Sequence, residues 1–133
     1  MNNAAVYSIA SLQISAARPL ALLTPTTGLS GMGSVSIEAN FQYGSGGTTC
    51  SAIVATSYNA GVTWRHIARF DFTTATAVKI VNIQANAAKA IGSYTDLASE
   101  GVNDGALGDQ LAVYIVSTGT YANTVLGINA SVR

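Results

Sequence analysis

Few side chains in this sequence have the chemistry of a reactive centre. His66 is the only histidine and Cys50 the only cysteine, and six lysines and arginines balance six carboxylates. A protein metal site usually needs several imidazole or thiolate ligands, and neither a CxxC nor an HExxH spacing occurs. His66 alternates with Trp64 and Phe70, which reads as a packed histidine on a core face rather than a base. A Ser-His-Asp arrangement finds no nucleophile turn of the GxSxG kind. Cys50 lies in an apolar run, so an inert, packed thiol is expected, and a single cysteine excludes an internal disulfide. Paired carboxylates for acid–base work are restricted to the segment holding Asp96, Glu100, Asp104 and Asp109. Only Tyr94 is aromatic there. Asp104-Gly105 and Gly108-Asp109 are oxygen-rich enough to suggest calcium, but their spacing is not that of an EF-hand. No catalytic residue, metal ligand, cofactor or small-molecule substrate is expected.

The elements that carry these residues read as strands. Cys50, Ala52, Val54 and Thr56 alternate with Ser51, Ile53 and Ala55. After the turn Asn59-Ala60-Gly61, one face carries Trp64, His66, Ala68, Phe70 and Phe72, and the other Arg65, Ile67, Arg69 and Asp71. Period two predicts a β-hairpin over 48–72 with a buried aromatic face and a wet Arg/Asp face. Ser34 to Tyr43 alternates most cleanly: Val35, Ile37, Ala39, Phe41 and Tyr43 against Ser36, Glu38, Asn40 and Gln42. Further strands are expected near 77–83, 110–116 and 121–133, the last with Val125 opposite Leu126, Ile128, Ala130 and Val132. Residues 84–92 are open between a short helix and a bulged strand end. Residues 93–108 read as a long loop, functional or at an interface.

The chain has 133 residues, enough for one domain with its own core. Apolar residues make up 49% of the chain and charged residues only 9%, against about 25% in ordinary globular proteins. With Gly/Thr/Ser-rich turns and no strand–helix alternation, this predicts an all-β fold: a single antiparallel β-sandwich, jelly-roll-like, over 34–133. Residues 1–33, broken at Arg18-Pro19 and again at Thr24-Pro25, predict an extended N-terminal arm or linker. Its apolar residues Val6, Tyr7, Ile9, Leu12, Leu20, Leu22 and Leu23 are the candidate assembly interface, with a fold-back on the arm's own domain as the alternative. So sparse a charge suggests a surface covered by neighbours. The net charge is zero, without the basic stripe that nucleic acid requires. Arg65, Arg69, Lys79 and Lys89 precede the four loop acids, either as two solvated patches or as head-to-tail complementarity between copies. No apolar run is long enough for a membrane helix, and the N-terminus lacks the positive region of a secretory signal.

Ser57 to Trp64 is similar to the Asp-box S-x-D-x-G-x-T-W, with Asn59 in the Asp place, Gly61 in the turn and Trp64 at the end. It implies a structural hairpin, not sialidase activity, since it occurs once and the chain is too short for a propeller. Read with its surroundings, the segment resembles a family of small tailed-bacteriophage and prophage virion proteins. The shared motifs are Tyr-Gly-Ser-Gly-Gly-Thr (43–48), T-S-x-[DN]-x-G-x-T-W (56–64), I-A-x-F-x-F-T-T-A (67–75), D-G-x-L-G-D (104–109) and S-T-G-T-Y-A (117–122). Together they cover about residues 33–133. The resemblance implies a virion structural protein made in the host cytoplasm. The expectation is a capsid decoration, or cement, protein on the outside of the head, bridging major-capsid subunits and copies of itself as a trimer. The alternatives are a tail or head–tail connector component, and a carbohydrate-binding host-adhesion module using Tyr58, Tyr94 and Tyr121 as platforms.

Overall fold

The computed structural model describes residues 4–86 and 88–133. The strands are β1 (Ala5–Ile14), β2 (Arg18–Leu22), β3 (Ser34–Gln42), β4 (Ser45–Gly46), β5 (Thr49–Ser57), β6 (Arg65–Phe72), β7 (Ala77–Gln84), β8 (Gly101–Val102), β9 (Gln110–Thr118), β10 (Tyr121–Ala122) and β11 (Thr124–Val132). One sheet has the order β1-β11-β3-β7 and the other β2-β9-β5-β6-β8, all antiparallel; β10 and β4 form a small ribbon. The chain is an all-β sandwich. β1 pairs with β11, β2 with β9, β3 with β7 and β5 with β6. These are the nested pairs of one long hairpin whose paired segments alternate between the two sheets.

The alternation in the sequence sets which side chains face inward. Val35, Ile37, Ala39 and Phe41 of β3 join Leu126, Ile128, Ala130 and Val132 of β11 in the core. Cys50, Ala52 and Val54 of β5, Val113 and Ile115 of β9, and Phe70 and Phe72 of β6 meet them from the second sheet. Phe41 and Phe72 stack across the sandwich with ring centroids 4.8 Å apart. Tyr121 closes that end: its ring stands edge-on to Phe41 at 5.9 Å, and its hydroxyl donates to the Thr73 carbonyl at 2.7 Å. Gly47 (φ +73) passes so close to the Tyr121 ring that a Cβ there would collide with it.

Residues 4–33 do not form an extended arm, and residues 1–3 of that expected segment lie outside the described residues. β1 adds an edge strand to β11, and β2 adds one to β9. The chain then runs on along β9, with Leu23 N–H donating to the Val113 carbonyl at 2.8 Å and Thr26 bridging Leu111. Leu29 and Met32 plug the core. The reason is the hydrophobic pattern itself. Ile9, Ala10 and Ile14 complete the apolar layer over β11, which would otherwise be left open to water. Arg18-Pro19 breaks no helix here; it opens β2, just after the corner at residues 15–17 where the chain passes from one sheet to the other. The stretch 84–92 leaves β7 in a turn at Ala85–Asn86 and contains no helix among its described residues.

Candidate functional site

The β5–β6 turn is built around Asn59. Its Oδ1 accepts from Thr63 N–H at 2.9 Å and from the Ser57 hydroxyl at 3.0 Å, and its Nδ2 donates to Thr63 Oγ1 at 2.9 Å. Ser57 Oγ in turn accepts from Gly61 N–H at 2.8 Å. These bonds replace the ladder where the strands separate and hold Ala60 (φ 59) and Gly61 (φ 87) in the left-handed region. Trp64 is half-buried beside Gly61. Asn59, Gly61 and Trp64, the residues singled out for this hairpin, all lie at the β5–β6 turn.

His66 is not on the core face. Ala68 pairs with Val54 and His66 with Ala55, so Ile67 is an extra residue, a β-bulge. The bulge turns Ile67 into the core and His66 outward, where its ring lies 5.7 Å from that of Tyr114. The segment 93–103 covers this outer face. His66 Nδ1 accepts the Leu97 N–H at 3.1 Å, which leaves the ring proton on Nε2, 3.9 Å from Asp96 Oδ1. A backbone amide can only donate, so this bond favours the neutral ring. Burial lowers the His66 pKa, the Arg69 charge adds to this, and Asp96 opposes it. The bulge carbonyls are taken by Asn103: its N–H donates to Ile67 O at 2.9 Å and its Nδ2 to His66 O at 2.9 Å. Tyr94 Oη accepts His66 N–H at 2.6 Å and donates to Asp96 at 2.7 Å. Burial, with Asp96 adding to it, pushes the Tyr94 phenol up to about 12.

The loop acids meet the mid-chain bases within the same molecule. Glu100 pairs with Lys79 at 2.5 Å and accepts Asp71 N–H at 2.9 Å. Arg69 reaches Asp71 at 2.9 Å and the Leu97 carbonyl at 3.0 Å. Burial alone would raise the Asp71 carboxyl, but hydrogen bonds from Arg69 and Ser51 outweigh it and hold the pKa below the ordinary value. This cluster fastens the loop and β8 to the edge of β6. Cys50 is fully buried, and burial pushes its thiol up to about 11 despite the Arg18 charge.

The other exposed sheet face is different in kind. The register aligns rows across β1, β11, β3 and β7: Val6–Ser131–Ser36–Asn82, Ser8–Asn129–Glu38–Ile80, Ser11–Gly127–Asn40–Val78 and, without β7, Gln13–Val125–Gln42. Glu38 is the one charge in these rows. Val6 and Ile80 are 67% and 69% exposed, and Val78 and Val125 are also exposed. Of the candidate interface residues, only Val6 and Leu20 stand out into solvent. Ile9 is in the core, Tyr7, Leu12 and Leu23 pack against it, and Leu22 is half-buried. Val78 and Ile80 were signalled by alternation in β7, but the sequence left open which of the two apolar sets faced the core. Tyr121, expected as an exposed platform, is 2% exposed, whereas Tyr58 is 59% exposed and Tyr94 also reaches the surface.

Compared with protein-family models, curated proteins and solved structures, the chain finds no match.

Proposed function

We propose that the protein is a structural component of a bacteriophage virion, and specifically a decoration protein of the capsid exterior. The observation that carries this reading is the outer face of the β1-β11-β3-β7 sheet. It is rich in Ser, Asn and Gln, studded with exposed aliphatics, and holds one charge. Depletion of charge is the compositional mark of interface centres. The other charges lie elsewhere, and several of those near β6 are neutralised within the chain. The motif resemblance over about 33–133 supports the virion setting.

We read the fold as a jelly roll. Numbering only the strands of five or more residues, the sheets run 1-8-3-6 and 2-7-4-5, as a long hairpin rolled into a sandwich would. Without an arm, attachment rests on the sheet face. With strands about 4.8 Å apart and same-face residues about 6.8 Å apart, those rows cover about 500 Å². A standard interface takes about 800 Å² per partner. One such face therefore holds a copy weakly. A self-associated trimer, engaging several capsid subunits at once, multiplies that affinity by avidity.

The test is co-sedimentation of the purified protein with mature capsids that lack it, followed by cryo-EM of the decorated particle. Saturable binding with density on the head exterior is the expected result, and Ile80→Asp abolishes it. Density confined to the tail or neck moves the assignment to a tail or connector component. No binding to any part of the particle overturns the proposal.

A further inference from the structure

At the end of the sandwich where the β5–β6 turn meets the chain from 88 to 106 lies a groove of about 590 Å³, a size typical of small-ligand sites. Tyr58 and Tyr94 line it together with Ile91, which is fully exposed. The Arg65 guanidinium sits 5.1 Å over the Tyr94 ring, and Lys89 is the second cation of the lining. No carboxylate lines the groove. The two acids closest in sequence, Asp96 and Asp104, border the groove and accept hydrogen bonds from the lining residues Tyr94 and Gly105. Asp104 Oδ1 accepts the N–H groups of Gln84 and Gly105 at 3.1 and 2.8 Å. Arg69 and Lys79 have carboxylate partners, but among the described residues Arg65 and Lys89 form no ion pair. Asn103 also lines the groove; its Nδ2 is committed to the His66 carbonyl, which leaves Oδ1 as an acceptor.

We propose that this groove binds an acidic saccharide, a sugar bearing a carboxylate or a phosphate. The anion is held by Arg65 and Lys89, with the stacked guanidinium offering its planar fork to two oxygens. The apolar C–H face of the sugar ring rests on tyrosine, which covers it at little entropic cost. A sugar hydroxyl donates to Asn103 Oδ1. Two cations in a chain of zero net charge suit one or two anionic groups and not a nucleic-acid backbone. This site stands apart from the sheet face and holds whether or not that face meets a capsid.

Saturation-transfer NMR and calorimetry on the full chain test it with four probes: a uronic-acid disaccharide, its carboxyl-reduced neutral counterpart, a hexose phosphate and a short oligothymidylate. At least one acidic sugar binds about tenfold or more tighter than the neutral one, as a charge-assisted contact requires. Which of the two acidic probes binds identifies the anion. The double variant Arg65→Gln/Lys89→Gln brings that affinity down to the neutral level, and Tyr58→Ala weakens acidic and neutral sugars alike. All three positions are exposed, and an unchanged thermal midpoint confirms that the variants fold. The inference is overturned if neither acidic sugar binds, if binding survives the double variant, or if the oligothymidylate binds more tightly than the sugars.

Discussion

At the scale of single residues, Asn59 and His66 show how one side chain sets local structure. Asn59 is an acceptor and donor within one turn, so Asn59→Ala hands the exposed Thr63 N–H to water and removes the acceptor of the Ser57 hydroxyl. A loss of about 0.5–1.5 kcal/mol is expected from urea unfolding. Asn59→Asp keeps the acceptor and stays within about 1 kcal/mol of the parent. Ala60 sits at φ 59, where a Cβ is strained. Ala60→Gly relieves about 1–2 kcal/mol of that strain and loses about 0.4–1 kcal/mol to a freer unfolded chain. The net expectation is a neutral to slightly raised thermal midpoint. His66 makes stability depend on pH. Its folded pKa is below 6.5, so near that pH the unfolded chain takes up a proton that the folded chain does not. Stability is therefore complete above about pH 6.5 and falls as pH drops toward the lowered folded value. Asp71 and Glu100, depressed below ordinary values of 3.8 and 4.5, lose their contributions only at lower pH. Urea midpoints across this window should slope for the parent and flatten for His66→Gln, whose amide oxygen can still accept the Leu97 N–H. An equal slope in both proteins refutes the assignment to His66.

At the scale of elements, β1 and the 93–103 segment are the informative pieces. An arm is dispensable to its own domain; β1 is not, because Ile9, Ala10 and Ile14 are core residues and β1 runs along nearly the whole of β11. A chain starting at Ser15 should lose its cooperative thermal transition, and retention of the parent midpoint would restore the arm reading. The 93–103 segment is held by side chains more than by ladder bonds, since β8 contributes only two register pairs to β6. Glu100→Gln weakens the contact with Lys79, itself partly exposed, by about 0.2–1 kcal/mol. Its sharper signature is faster hydrogen exchange at the Asp71 amide, with β3 and β11 amides unchanged.

At the scale of the whole molecule, charge is segregated. One sheet face carries Glu38 alone, while the β6 edge and the loops at that end hold most of the rest. Ile80→Asp should leave the thermal midpoint nearly unchanged, since the side chain is already in water, with an effect within about 0.5 kcal/mol. Phe41→Ala, by contrast, removes the ring that stacks on Phe72 and meets Tyr121, and should cost about 3–5 kcal/mol. A large stability loss from Ile80→Asp would place that side chain in the core and remove the proposed docking face.

The sequence by itself determined the fold class and the apolar faces of β3 and β11, because period-two alternation and turn chemistry are local properties. It also determined the Asn59 turn, whose partners are all within a few residues. What it left open was non-local. Whether Ala5–Leu22 docks on its own sandwich depends on β11 and β9, more than a hundred and about ninety residues away. The bulge at Ile67 shifts the register by one residue and so moves His66 to the opposite face; a strict alternation contains no sign of it. Tyr121 follows a turn and reads as exposed, yet Gly47 leaves the space that lets its ring close the core. The groove of Tyr58, Arg65, Lys89 and Tyr94 joins segments some thirty residues apart, and only the packing of the 88–106 chain against β6 brings them together.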